Sequence, residues 1–81
     1  MKLFGYLASG SQQHVPLELS EATLSASPEE LREIAGFLLH AAKTMDHLGK
    51  SFDHMHLSDA SRLFESSPAF IVAMGESAQA G

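Results

Sequence analysis

The stretch from Ser27 to Gly49 limits most tightly what this chain can fold into, because a helix start, a helix stop and a one-sided apolar pattern fall within it. The Ser27 oxygen can accept an orphan backbone N–H, Pro28 suits the first helical position, and the Glu30 carboxylate can reach back to the Ser27 N–H. Ala26 can pack on Leu31 as a hydrophobic staple, while Gly49 supplies the left-handed residue that commonly closes a helix. The spacing predicts one long helix over residues 28–48. Projected at about 100° per residue, Leu31, Ile34, Ala35, Leu38, Ala41, Ala42 and Met45 form a stripe, with Phe37, Leu39 and Leu48 at its margins. Glu29, Glu33, Gly36, His40, Lys43 and His47 fall on the opposite side. A helix with such unlike sides needs a flat apolar partner, so it should lie on a sheet.

The flanking segments supply the strands. Lys2–Ala8 (KLFGYLA) is rich in strand formers on both faces, and Ser9–Gln13 is a polar connection with Gly10 available for a positive φ. Pro16 places the start of the second strand at an edge or at Leu17. Leu17 and Leu19 then share one parity while Ala22, Leu24 and Ala26 share the other, which predicts a β-bulge near Ser20 and Glu21 unless one half is loop. Lys50–Leu57 reads as the third strand. Ser58–Glu65 reads as a short helical turn or irregular loop that brings Leu63 and Phe64 to the core edge, and Ala69–Met74 (AFIVAM) as the fourth strand. The expected fold is α+β in the order ββαββ, a four-stranded, mainly antiparallel sheet with the helix on one face. The strand order is either 2-1-3-4 or 1-2-3-4. Residues 1–74 then form a single domain and 75–81 a disordered tail.

Charge and composition narrow the function. The 81 residues carry 10 acidic and 5 basic side chains, a formal charge of −5, and no cluster of Lys or Arg. Binding a phosphate backbone depends on basic side chains that release counterions, so nucleic acid is disfavoured and no nucleic-acid partner is expected. A basic protein surface is a better match for an acidic chain, although acidity also serves solubility. No run approaches the roughly 20 apolar residues that cross a bilayer, and the apolar run of Met1–Ala8 is too short for a signal-peptide core. Together with the absence of Cys, this points to a cytoplasmic protein without membrane association.

His54 and His56 are the local pair with the most chemistry. On a strand they stand on one face about 7 Å apart, a spacing at which both can reach one metal ion. Zn²⁺ takes three or four ligands, and His14, His40, His47 and Asp59 have no spacing that compels convergence, so ordinary surface histidines are the favoured reading and metal binding the alternative. Asp53 can meet His54 if the backbone allows. On the helix, Glu33, His40, Lys43 and His47 form a polar row that suits a partner contact as well as a solvated face. With no Cys, no G-x-S-x-G, no P-loop and no G-x-G-x-x-G, no catalytic residue is assigned, and the acidic Glu29 and Glu30 suit the helix dipole.

Taken together, the Lys2-x-Phe4-Gly5-Tyr6 strand, LELSEATL running into SPEELREIAGFLLHAA, then Phe52-x-His54-x-His56-Leu57 and Phe70-Ile71-Val72 resemble a family of small immunity proteins of bacterial polymorphic toxin systems, over residues 2–73. The resemblance implies a cytoplasmic, non-enzymatic protein that binds a toxin and needs no cofactor. The candidate partner-binding residues are Glu33, His40, Lys43, His47, Phe52, His54 and His56, and a homodimer formed through the uncovered sheet face or a sheet edge is a further expectation. The rival readings are a metal-binding module built on His54 and His56, and a dimerisation domain with no separate activity.

Overall fold

A computed structural model describes residues 1–8 and 15–75. The expected Ser9–Gln13 connection and all but the first residue of the expected tail lie outside the described residues. The chain divides into two compact units, one containing Met1–Ser25 and the other Ala26–Met74.

In the first unit, β1 (Leu3–Gly5) pairs antiparallel with β2 (Leu17–Leu19), with Leu3 opposite Leu19, Phe4 opposite Glu18 and Gly5 opposite Leu17. Gly5 lies close under Leu19, whose Cδ1 would stand 3.3 Å from a Cβ added there. The ladder stops at Leu19, and residues 20–27 carry neither helix nor strand, so the change of parity is absorbed by irregular chain and the expected bulge has no strand to sit in.

The second unit is built on α1 (Pro28–Leu48), which begins as the sequence requires. The Ser27 Oγ accepts the Glu30 N–H at 3.1 Å and Glu30 Oε1 accepts the Ser27 N–H at 2.8 Å. Gly49 closes the helix with φ +54°, a conformation that favours glycine, and leads into a short 3-10 turn over Gly49–Ser51. Then follow β3 (His54–His56), the short helix α2 (Leu57–Ala60), a 3-10 turn (Arg62–Phe64) and β4 (Ile71–Ala73). β3 and β4 pair antiparallel with Met55 opposite Val72. The Leu57 N–H donates to the Phe70 carbonyl at 2.9 Å, which ties the start of α2 to the approach of β4.

The core of this unit is Ile34 and Phe37 from α1 with Leu57 and Phe64, and Met55, Phe70 and Val72 pack against it. Phe37 and Phe70 meet edge to face with centroids 6.5 Å apart. The buried row on α1 is Ile34, Phe37 and Ala41, whereas Leu31 and Leu38, placed at the middle of the expected stripe, are 44% and 43% exposed. At 100° per residue this rotates the buried face by roughly 70° toward Phe37. Ala41 lies near the middle of this buried row, and Phe37, at its far edge, extends the contact beyond the apolar arc. Phe64 reaches the core as expected, but Leu63 stays outside it.

The α+β class and the long helix are as the sequence predicts. The single four-stranded sheet is replaced, among the described residues, by two separate two-stranded sheets, β1-β2 and β3-β4, so neither expected strand order is formed. The strands are three residues long each, too short for wide ladders.

Candidate interaction site

The polar side of α1 meets α2 and β3 in the second unit, and two concavities open there. One, of about 420 Å³, is lined by Arg32, Glu33, Gly36 and His40 of α1 together with Leu57, Ala60 and Ser61, over the edge of Phe37. The other, of about 460 Å³, is lined by His40, His54, Met55, His56, Asp59 and Ala60. His40 and Ala60 belong to both, so the two form one trough along α1.

Glu33 is fixed in the wall of this trough. The Ser61 Oγ–H donates to Glu33 Oε1 at 2.9 Å, a bond between residues 28 apart in sequence. The Ser61 oxygen also accepts the Leu63 N–H at 3.3 Å and thereby caps the 3-10 turn. His40 is placed by its helix, and its carbonyl accepts the Thr44 hydroxyl at 2.9 Å.

His54 and His56 project from the same face of β3, opposite to Met55, which turns into the core. Their rings meet edge to face with centroids 5.0 Å apart. Asp53 Oδ2 lies 2.8 Å from His54 Nδ1, so the expected Asp53–His54 contact is formed; the two side chains are 88% and 45% exposed. Four of the candidate residues, Glu33, His40, His54 and His56, therefore line one continuous surface. Lys43 and His47 are exposed on α1 but line neither concavity. Phe52 is 8% exposed, which withdraws it from the surface a partner can reach; its N–H donates to the Gly49 carbonyl at 3.0 Å.

Among the described residues, no group of three or more His, Cys, Asp or Glu is placed to hold a metal ion, so His54 and His56 have no third protein ligand there. Among the same residues no helix is long and apolar enough to cross a membrane. Sequence reasoning missed Arg32 and Ser61 as trough residues. Nothing in their local pattern signals the approach of α2 to α1, whereas Gly36, interrupting a helix, was a signal in plain view.

The family model described as Immunity protein 32 matches residues 21–73, which takes in α1, β3, α2 and β4 and is well over half of the chain. No curated protein and no solved structure matches the chain. With the capped helix, the His54-Met55-His56 strand and the closing β4 all inside the matched span, this chain belongs to the Immunity protein 32 family.

Proposed function

We propose that this chain neutralises a toxin protein in the cytoplasm by binding it and occluding its active site, without turnover of its own. The family match over residues 21–73 is the observation that carries this reading. The formal charge of −5 supports a basic toxin surface as the target, because opposite charge speeds encounter and aligns the two faces. The trough-lining Glu33, His40, His54 and His56, with Lys43 and His47 farther along α1, make up the proposed contact surface.

The test is co-expression with each candidate toxin domain found encoded near this chain's gene. Growth is restored and a stoichiometric complex is isolated with one of them if the reading holds. Candidates that all kill as well with the chain as without it, and that migrate separately from it, refute the reading.

Self-association is a second reading, favoured by the apolar surface of the first unit, where Phe4, Tyr6, Leu17 and Leu19 are 56%, 61%, 44% and 36% exposed. By the register of β1 and β2, Leu17 and Leu19 share one face of the ladder and Phe4 lies on the other, so both faces present apolar side chains that a second copy could cover.

A further inference from the structure

Helix α1 carries a glycine for which its own unit has no use. Inside a helix, Gly is less favourable than Ala by about 1 kcal/mol, and a crowded neighbour or a left-handed backbone is the common reason to keep one. Neither applies to Gly36. A Cβ added there meets nothing within 4 Å, and Gly49 is the positive-φ glycine among the described residues. What Gly36 does is leave a length of α1 backbone bare at the rim of the 420 Å³ concavity.

The surroundings state what that bare rim suits. Phe37 and Leu57, 5% and 3% exposed, form an apolar floor of which only an edge is open. On the wall, Ser61 holds Glu33 by one carboxylate oxygen and leaves Oε2 without a partner among the described residues. Farther along the trough stands Asp59, so its walls carry the carboxylates of Glu33 and Asp59 against the one guanidinium of Arg32. An apolar floor beneath a held, half-used carboxylate matches a long aliphatic stem that ends in a cation.

We propose that the toxin docks in this trough and inserts a lysine or arginine across Gly36, its stem over Phe37 and Leu57 and its cation on Glu33. This rests on the toxin-neutralising reading and adds to it the place and the chemistry of the contact. Gly36 is then kept for the approach of a foreign side chain.

The test uses the full chain and each candidate toxin domain found encoded near its gene, with affinity measured by calorimetry at low and high salt and the melting temperature of each variant recorded. Gly36→Met fills the rim with a residue of good helix propensity, so it melts at or above the wild-type temperature yet binds at least about tenfold more weakly. Glu33→Gln weakens binding by about tenfold and flattens its salt dependence. Gly36→Ala, one methyl larger, raises the melting temperature and falls between wild type and Gly36→Met in affinity. Wild-type affinity and salt dependence in a folded Gly36→Met and in Glu33→Gln would overturn the docking site while leaving the toxin-binding reading intact. A wild-type chain that does not bind the toxin at all removes that reading, and this site with it.

Discussion

Ser27 and Glu30 each satisfy a backbone N–H that the first turn of α1 leaves over, at 3.1 and 2.8 Å. Replacing Ser27 by Ala removes the side-chain acceptor and releases the reciprocal arm. The substitution is expected to cost about 1 kcal/mol and to lower the melting temperature by about 4–8 °C in a thermal scan. His54 and His56 lead to a different expectation. Their rings are close, but no third His, Asp or Glu among the described residues completes a site, so native mass spectrometry with added Zn²⁺ should show no stoichiometric zinc per chain. One zinc per chain, lost on replacing both histidines by Ala, is the contrary result. These residues also show where sequence is informative. The Ser27-Pro28-x-Glu30 start was legible because every bond in it closes within four residues. The Phe52-x-His54-x-His56 pattern of the family resemblance places Phe52 among the contact residues, yet its burial is decided by packing that no local pattern records.

Each element here is limited by how much it buries. Helix α1 supplies Ile34, Phe37 and Ala41 to the interior, whereas among the described residues of Met1–Ser25 no side chain is buried. A two-stranded ladder that buries no side chain of its own is marginal in water. Hydrogen exchange should therefore separate the two: amides of β1 and β2 exchange early, and those near Phe37 in α1 exchange last, at the rate of global opening. Equal protection in both elements would contradict this account. The helix itself was legible down to its boundaries, since caps and periodicity are properties of neighbouring residues. The sheets were legible only in part: β1 with β2 and β3 with β4, pairings common to both expected orders, are formed, but the contact that would join the two pairs into one sheet is not, because alternation locates strands and neighbours in sequence without fixing long-range partners. The parity change after Leu19 is plain in the sequence, but its meaning, the end of a strand rather than a bulge within one, depends on whether a pairing partner continues alongside.

For the molecule as a whole, charge and apolar exposure pull in different directions. Ten acidic against five basic side chains keep copies apart, while Phe4, Tyr6, Leu17 and Leu19 favour contact between them. The self-association reading requires burial of such groups to outweigh a repulsion that salt screens, so on it sedimentation at tens of micromolar, a range roughly typical of weak association, gives a mass above the 8.7 kDa of one chain, more so at high salt. A single 8.7 kDa species at both salt concentrations would set self-association aside. The interior has a consequence of its own. Six hydrophobic side chains, Ile34, Phe37, Ala41, Phe52, Leu57 and Phe64, are the buried ones among the described residues, and no polar or charged group is buried with them. Exchanges at exposed positions away from caps and contacts usually shift stability by less than about 0.5 kcal/mol. With so few anchoring points among the described residues, much of the exterior can be rewritten, residue by residue, while the scaffold beneath stays the same, which is the latitude that the proposed toxin binding would draw on.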